Sequence, residues 1–264
     1  MSEALSGEGS RLRIEVAALT HRGAVRARNE DCIAVNGWIA QENMSAARVF
    51  SQPLEAPFVC LVADGMGGHP AGDVASRLAA ECLAQMLVAG PGDGIGAALR
   101  QVNAQFYAVM QRFPIWAGMG TVVAGIVARA AGITVFNVGD SRAYRVAEGQ
   151  LEQLSVDDSA DDAWDADGFL PRSGIVTQSI GGAWEFVDIE PHLYEEPCRP
   201  GSTYLLCSDG LYDALSSEEI AALIGEDLGA SANALFEAAL AAPARDNVSL
   251  ALVRIARESP QTTA

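Results

Sequence analysis

Residues 58–65 read Phe-Val-Cys-Leu-Val-Ala-Asp-Gly, an apolar run that ends on an aspartate beside a glycine. Two further apolar runs end in this way, at Asp140 and at Asp209, and Asp246 opens the last apolar run of the chain. Short apolar runs of this composition are typical of buried strands. Carboxylates gathered at strand ends repel one another and lose hydration, and hard divalent cations offset both costs because they prefer oxygen ligands. The pattern therefore indicates a metal-dependent hydrolytic site.

The composition limits the class of protein. Half of the 264 residues are apolar (50%), which suffices for one sizeable core. With 34 acidic and 17 basic side chains the formal charge is −17, which argues against a nucleic-acid or anionic-membrane partner, because phosphate groups bind Lys/Arg surfaces. No stretch within 11–257 has the composition of a linker, so we predict a single domain over 11–257, with flexible ends at 1–10 and 258–264.

The cysteines and the N-terminus bear on the compartment. The five cysteines are scattered and form no CxxC pair, which favours reduced thiols. The sequence shows no basic-plus-apolar signal at its start and no apolar run of membrane-spanning length. We therefore expect a cytoplasmic protein without a membrane partner, and a monomer, since no feature favours a dimer.

Hydrophobic periodicity predicts the order of elements. Helices are predicted at 73–88, 95–113, 220–224 and 231–241. Ser216 and Glu219 have the spacing of a capping box before the third of these helices. Strands are predicted at Arg11–Val16, Cys32–Trp38, Phe58–Ala63, Thr121–Val127, Ile133–Val138, Arg142–Val146, Tyr204–Cys207 and Asn247–Ile255. This order does not alternate as βαβ units do, so it favours antiparallel sheets with helices on their outer faces, an α+β layered fold.

Short motifs of glycine and polar residues follow one another along the chain. They are Gly23–Asp31 (GAVRARNED), Asp64–Gly72 (DGMGGHPAG), Gly118–Thr121 (GMGT), Val138–Arg142 (VGDSR), Val176–Gly182 (VTQSIGG), Ser208–Leu211 (SDGL) and Asp246–Ser249 (DNVS). In this order they resemble the motifs of the metal-dependent protein phosphatases, the protein phosphatase 2C family, in its bacterial single-domain form. The resemblance extends over almost the whole chain. It implies an α-β-β-α sandwich, in which helices flank two central, mostly antiparallel sheets.

The resemblance implies a site for two Mn²⁺ or Mg²⁺ ions. Asp64 matches the carboxylate that bridges both ions, with the Gly65 carbonyl on one of them. Asp209 and Asp246 match terminal ligands of the other ion. The residues alone also allow these aspartates to cap strand ends or form turns, although their joint context leaves that interpretation little room.

Further acidic residues match positions around the two ions. Asp31, together with Glu30, matches residues that hold water at the metal site. Asp140, with Asp209 and Asp213, matches a third and more weakly held metal position. Two alternatives stay open here: Asp140 could equally be a turn residue, and Glu30 could pair with a neighbouring base.

Two residues match the groups that act on the phosphate. Arg26 lies where the family places its phosphate-binding arginine. In-line attack on phosphorus by a metal-activated hydroxide requires positive charge at the phosphoryl oxygens. A guanidinium can supply this charge through two parallel hydrogen bonds. His69 is a candidate proton donor to the leaving alkoxide, because an unperturbed histidine titrates near neutral pH. A water at the metal site is an equal candidate, and His69 could also be an ordinary loop residue.

The resemblance implies a phosphoserine/phosphothreonine protein phosphatase that opposes a bacterial Ser/Thr kinase. Its partners would be phosphorylated proteins, namely that kinase, its targets and a forkhead-associated protein, in some cases within type VI secretion control. One alternative is a catalytically inactive, phosphatase-like binding module, against which the complete set of metal carboxylates argues. Another is a phosphatase of small phosphate esters, which the sequence does not exclude.

Residues 157–176 depart from the family pattern. Asp157-Asp158-Ser159 stands where the family commonly has an aspartate-histidine-serine triplet, and the segment contains six aspartates between 157 and 167. We interpret these charges as a solvated acidic loop. We also predict that the loop repels acidic phosphopeptides and favours basic ones.

Overall fold

The computed structural model describes residues 11–66, 71–90, 92–160, 175–242 and 245–258. Predictions that fall elsewhere lie outside the described residues: the flexible end at 1–10, the flexible end at 258–264 except for Glu258, the proton donor His69, and most of the acidic loop.

The described residues form thirteen strands and five α-helices. The strands are β1 (Leu12–His21), β2 (Asp31–Val35), β3 (Trp38–Ala40), β4 (Arg48–Pro53), β5 (Phe58–Gly65), β6 (Gly120–Arg129), β7 (Gly132–Val138), β8 (Arg142–Ala147), β9 (Gln150–Gln153), β10 (Ile180–Gly181), β11 (His192–Glu196), β12 (Thr203–Cys207) and β13 (Val248–Arg257). The helices are α1 (Gly72–Ala89), α2 (Ile95–Arg112), α3 (Asp209–Tyr212), α4 (Ser217–Leu223) and α5 (Leu228–Ala241). Within the described part of the chain, no helix combines the length and apolar character needed to span a membrane.

The strands form two antiparallel sheets. Six strands make one sheet in the order β4-β1-β13-β12-β8-β9. The other sheet has the order β11-β7-β6-β5-β2-β3, and the short β10 pairs with β6. The pair β1 and β13 runs from Leu12 opposite Arg257 to His21 opposite Val248, so the first and last strands of the described chain lie side by side.

Three apolar cores separate four layers. The core between the two sheets contains Val62 and Tyr204. A second core, with Leu83 and Phe106, lies between α1, α2 and the sheet that contains β5. A third core, with Leu235, lies between α4, α5 and the sheet that contains β12. Removal of this apolar surface from water stabilises the layers, and the arrangement confirms the predicted α-β-β-α sandwich.

Most of the predicted elements are confirmed, with boundaries that differ by a few residues. The capping box is also confirmed, because the Ser216 hydroxyl accepts from the Glu219 N–H at 3.2 Å and the Glu219 carboxylate accepts from the Ser216 N–H at 2.8 Å. The single strand predicted at Cys32–Trp38 is wrong. The chain turns at Asn36 and Gly37, whose φ angles are 44° and 94°, and an Asn-Gly pair at such a position joins β2 and β3 as a hairpin.

The prediction missed five elements, namely β4, β9, β10, β11 and α3. The four strands lie at sheet edges or contain only two residues, and they carry few consecutive apolar side chains. The helix α3 has four residues, too few to show a helical period. Of these omissions α3 matters most for the site, because Asp209 is its first residue.

Candidate metal centre

Two neighbouring strands carry the first pair of predicted site residues. Asp31 begins β2, Asp64 lies one residue before the end of β5, and the two are direct partners across the antiparallel pair. Cross-strand partners have their Cβ atoms about 4.5–5.5 Å apart, so the two carboxylates repel each other strongly. The Thr121 hydroxyl on β6 donates a hydrogen bond to the Asp64 carbonyl oxygen at 2.6 Å. The backbone of Asp64 is therefore fixed from both neighbouring strands.

The third aspartate comes from the other sheet. Asp209 begins α3 and follows Ser208, the residue that connects the helix to β12. The Ser208 hydroxyl donates to Asp31 Oδ2 at 2.7 Å and accepts from the Ser249 backbone N–H at 3.0 Å. Because β12 and β13 belong to one sheet and β2 to the other, this buried serine joins the two sheets beside the carboxylates.

The loop before β2 meets the residues before β13 at the open side of the site. Asn247 donates from Nδ2 to the carbonyl oxygens of residues 22 and 28, at 3.0 and 2.9 Å, and its Oδ1 accepts from the Glu30 N–H at 2.8 Å. One asparagine therefore shapes the loop that carries Arg26. In this loop Arg26 Nη2 lies 2.5 Å from Asp246 Oδ2, an ion pair whose side chains are 41% and 34% exposed.

Gly65 lies where three backbone segments crowd together. A Cβ atom at this position would lie 2.2 Å from the Gly72 carbonyl oxygen and 2.7 Å from the Glu30 carbonyl oxygen. The Gly65 N–H donates to that Glu30 oxygen at 3.0 Å. Only glycine fits this approach of backbone to backbone, so packing alone requires a glycine at the position whose carbonyl the resemblance places on a metal ion.

Asp140 and Asp213 both contact the short helix α3. The Tyr212 hydroxyl donates to the Asp140 carbonyl oxygen at 2.9 Å, and the Asp213 N–H donates to the Asp209 carbonyl oxygen at 2.8 Å. Gly139, with φ 95°, turns the chain at the end of β7 just before Asp140. The three residues predicted for a third metal position are thus brought to the two ends of one helix.

Burial and mutual repulsion raise the pKa values of the site carboxylates. Burial raises the pKa of Asp31 to about 6, and burial also raises the pKa of Asp140 to about 6. The pKa values of Asp64 and Asp209 lie well above the usual range, first through burial and then through neighbouring aspartates. Asp246 belongs to both sets of neighbours. The ionised forms of these carboxyls therefore favour a nearby positive charge.

Two buried carboxylate oxygens have no hydrogen-bond partner among the described residues. They are Oδ1 of Asp31 and Oδ1 of Asp209. A buried acceptor that lacks a partner costs about 1–3 kcal/mol. The predicted ligands are carboxylate and carbonyl oxygens, which Mg²⁺ and Mn²⁺ prefer. The residues therefore fit a site for hard divalent cations.

The described side chains do not form a closed ligand cage. Among them, no group of three or more His, Cys, Asp or Glu side chains converges closely enough to hold one ion. Asp246 pairs with Arg26, and Glu30 is half-buried, with a pKa that burial raises. The predicted site residues within the described part of the chain are gathered at one end of the two sheets, and their individual ligand roles stay predictions.

Three polar residues organise the site although the sequence analysis gave them no role. They are Thr121, Ser208 and Asn247. All three lie within the motifs quoted above, so the signal was present. Their roles could not be inferred because the partners are distant along the chain; Ser208 and Asp31, for example, are 177 positions apart.

Asp158, which stands where the family commonly has a histidine, is hydrogen-bonded through its carboxylate in the fold. Asp158 Oδ2 accepts from the Gly139 N–H at 2.8 Å and from Gln178 Nε2 at 2.7 Å, while its Oδ1 lies 2.9 Å from His192 Nε2. The carboxylate thus links β11 to the turn before Asp140. Where the resemblance expects a histidine the chain has an aspartate, and a histidine faces it from the neighbouring strand.

The layered α+β sandwich, with buried aspartates from both sheets brought together at one end, defines the class of protein. Within that class, the family model for protein phosphatase 2C matches residues 42–253. The serine/threonine protein phosphatase PstP of Mycobacterium tuberculosis is 32% identical over 257 residues, which cover 92% of this chain and 45% of that protein. The chain belongs to the protein phosphatase 2C family.

Other relatives agree with this assignment. The serine/threonine phosphatase stp of Listeria monocytogenes is 29% identical over 89% of this chain and 93% of its own length. The chain thus spans about half of the mycobacterial relative and nearly all of the Listeria one. The catalytic domain of PstP, solved in complex with two manganese ions, has a TM-score of 0.72 at 32% identity and covers 93% of this chain and 99% of its own. PppA of Pseudomonas aeruginosa has a TM-score of 0.71 at 29% identity, with 92% and 97% covered.

Proposed function

We propose that the protein is a metal-dependent phosphoserine/phosphothreonine protein phosphatase. The observation that carries this proposal is the approach of Asp31, Asp64 and Asp209 from both sheets, with one oxygen of Asp31 and one of Asp209 buried and without a hydrogen-bond partner among the described residues. Arg26 lies at the open side of the same cluster. Membership of the family and the manganese-bound structure of PstP support the proposal.

Two Mn²⁺ or Mg²⁺ ions would be held by Asp64, the Gly65 carbonyl, Asp209 and Asp246. When bound, such ions supply a water nucleophile of lowered pKa and positive charge for the phosphoryl oxygens. Burial of Asp64 and Asp209 makes their negative charge act strongly on a bound cation, because little water screens it. The crowded backbone at Gly65 fixes its carbonyl and leaves no room for a side chain.

The remaining acidic residues would act around these ligands. Asp31 is held by Ser208 through one oxygen, which leaves the other oxygen to orient water beside Asp64. Glu30 would share this role from the adjoining loop. Asp140 and Asp213, together with α3, would form the third and weaker metal position.

Arg26 would bind the phosphate. Its Nη2 donates to Asp246, and a guanidinium carries five donors in a planar fork that matches phosphate oxygens. Because the side chain is 41% exposed, an incoming phosphoserine or phosphothreonine can reach it without any rearrangement of the core. The proton for the leaving alkoxide would come from His69 or from a water at the site.

The substrates would be phosphorylated proteins. We infer that the enzyme opposes a bacterial Ser/Thr kinase and that the kinase, its targets and a forkhead-associated protein are its partners. The names of the serine/threonine phosphatases of M. tuberculosis and L. monocytogenes support this substrate class. PppA, described as a key regulatory component of T6SS, supports a place in type VI secretion control. Deletion of the gene should increase phosphorylation of the kinase, and unchanged phosphorylation would refute that assignment.

The proposal is tested with purified protein and a phosphothreonine peptide in Mn²⁺, in Mg²⁺ and in EDTA. We expect phosphate release that requires the metal and is lost in Asp209→Asn. Faster turnover of small phosphate metabolites than of phosphopeptides would favour a small-ester phosphatase. No release from folded protein in either metal would favour a non-catalytic binding module.

A further inference from the structure

The loop that follows β10 presents large apolar side chains to solvent. Trp184 is 84% exposed, Phe186 57% and Val187 56%. We name residues 183–187 the Trp184 loop. Isolated apolar residues on a surface need no explanation, but several together mark an interaction site.

The Trp184 loop is held at both ends by one buried residue. Asn103 on α2 is fully buried; its Oδ1 accepts from the Gly181 N–H at 2.9 Å, and its Nδ2 donates to the Val187 carbonyl at 2.8 Å. The Tyr107 ring also packs edge-on against Phe186, with centroids 5.1 Å apart. A loop fixed in this way loses little conformational entropy when a partner binds, so its exposed indole is ready for contact.

The Trp184 loop begins beside the candidate metal centre. A Cβ atom on Gly182 would lie 2.6 Å from the Met66 side-chain methyl group, and Met66 directly follows Asp64 and Gly65. The Gly182 N–H donates to the Met119 carbonyl at 2.8 Å, which fixes this contact. The Trp184 loop therefore starts from backbone that packs beside the segment carrying Asp64 and Gly65.

The segment of chain that contains the Trp184 loop is acidic. Glu185, Asp188 and Glu190 are exposed, and no lysine or arginine occurs between residues 175 and 198. Lysine or arginine side chains stack favourably on the face of a tryptophan and pair with carboxylates. The surface is therefore complementary to a segment that carries both basic and apolar side chains.

We propose that the Trp184 loop is a docking surface for protein substrates that carry basic and apolar residues beside the phosphorylated residue. The inference rests on the proposed function and adds to it a contact outside the metal centre. The substrate's basic side chain stacks on Trp184 and pairs with Glu185, and its apolar side chain packs beside Val187. The docking surface thus selects proteins over small phosphate esters.

The test compares wild-type protein, Trp184→Ala and a control, Val49→Ala, in Mn²⁺. Val49 is 59% exposed on β4, in the other sheet. The substrates are a phosphothreonine peptide with arginine and leucine among five residues on each side, the same peptide with glutamate in place of arginine, and p-nitrophenyl phosphate. Five extended residues reach about 17 Å, so the peptides extend well beyond the metal centre.

For Trp184→Ala we expect kcat/KM for the basic peptide to fall about tenfold, mainly through KM, as for an aromatic residue that dominates an interface. Turnover of p-nitrophenyl phosphate should be unchanged, and Val49→Ala should behave as wild type. Unchanged turnover of the basic peptide, an equal loss on p-nitrophenyl phosphate, or an equal loss on both peptides would overturn the inference.

The two proposals fail in distinguishable ways. A wild-type protein that hydrolyses none of the three substrates contradicts the phosphatase assignment. Peptide binding, measured by fluorescence anisotropy of the labelled basic peptide in EDTA, then still tests the docking surface. Binding that Trp184→Ala weakens supports docking, and binding that it leaves unchanged refutes it.

Discussion

The buried and open sides of the candidate metal centre differ in how their charges are compensated. On the buried side Asp31, Asp64 and Asp209 lie at the ends of secondary structure elements, and their pKa values are raised. On the open side Asp246 is paired with Arg26 at 2.5 Å, and both side chains remain partly exposed. The buried side is held by strand register and by the start of a helix, whereas a side-chain ion pair holds the open side.

The two sides of the site therefore differ in their effect on the stability of the fold. Burial of like charges lowers the stability of the fold, and the protein retains these charges because they can bind a cation. The exposed ion pair contributes little to stability and can exchange partners when a phosphate arrives. We therefore expect neutral substitutions of the buried carboxylates to lower activity and raise stability, and substitutions on the open side to affect substrate binding.

The largest effect is expected for Asp209→Asn. We expect kcat to fall by about 10²- to 10³-fold, because a neutral amide holds less firmly the ions that would stabilise the charge of the transition state. In EDTA at pH 7 the free energy of unfolding should rise by roughly 1–3 kcal/mol, because an amide removes a buried charge whose neighbours repel it. Steady-state kinetics in Mn²⁺ and urea unfolding in EDTA measure the two changes.

The gain in unfolding free energy expected for Asp209→Asn should depend on pH, because folding raises the pKa of Asp209. The pKa of Asp209 is raised in the folded state, so its ionisation opposes folding at neutral pH. As the pH falls below the ordinary aspartate pKa, the carboxyl becomes protonated in both the folded and the unfolded state, and the gain from Asp209→Asn should disappear. The exposed aspartate in Asp93→Asn serves as the control and should change neither quantity. A loss of stability in Asp209→Asn would contradict the comparison of the two sides.

The second prediction concerns the backbone that holds the buried side. Gly65→Ala should destabilise the protein by about 1–3 kcal/mol, because the added methyl group overlaps two carbonyl oxygens that belong to the backbone. Gly92→Ala is the matched control, since a Cβ at that position meets no atom within 4 Å. Thermal unfolding of both variants measures the difference. Equal melting temperatures would show that the backbone of the site shifts to accommodate the added methyl group.

The sequence predicted the elements whose pattern is long or strongly apolar. The run before Asp64 and the periodic residues of α1 and α2 follow directly from burial, and the structure has them where they were expected. The four-residue α3 offers no period to detect, and β4 and β9 are too polar to stand out from loops. The four-layer order itself came from the resemblance, because periodicity cannot say how sheets stack.

The candidate site was predictable as a set of residues and less so as an arrangement. Motifs identified Asp64 and Asp209 because each ends or follows an apolar run. The ion pair of Arg26 and Asp246 joins positions 220 apart, and no spacing rule connects them. The same holds for Ser208, whose contact with Asp31 depends on how the two sheets pack.

The third prediction tests the open side. Arg26→Gln should lower kcat/KM for a phosphopeptide by about 10- to 100-fold, the effect of losing charge-assisted hydrogen bonds. The fold should retain its stability within about 0.5 kcal/mol, because a partly exposed ion pair contributes little. Arg28→Gln removes an equal charge from the same loop, where the side chain is 79% exposed and lies 3.9 Å from Asp73. If the two variants lost activity equally, general electrostatics and not a phosphate contact would explain the effect.

The smallest effect is expected at the link between β11 and the turn before Asp140. Asp158 and His192 form a partly buried pair, with 14% and 32% of their side-chain surfaces exposed. Asp158→His alone would place two imidazoles together and should cost about 1 kcal/mol of stability. The double substitution Asp158→His with His192→Asp restores the pair with its two residues exchanged. It also places at position 158 the histidine that the family commonly has there.

We expect the double exchange to recover at least half of the stability that the single substitutions lose. A double-mutant cycle from urea unfolding measures the coupling, since it isolates the pair from the rest of the site. An imidazole nitrogen at position 158 can still accept a hydrogen bond from the Gly139 N–H, so the turn before Asp140 should keep its shape. Additive losses in the double variant would mean that Asp158 acts through Gly139 and Gln178 alone, and that His192 does not compensate for the missing family histidine.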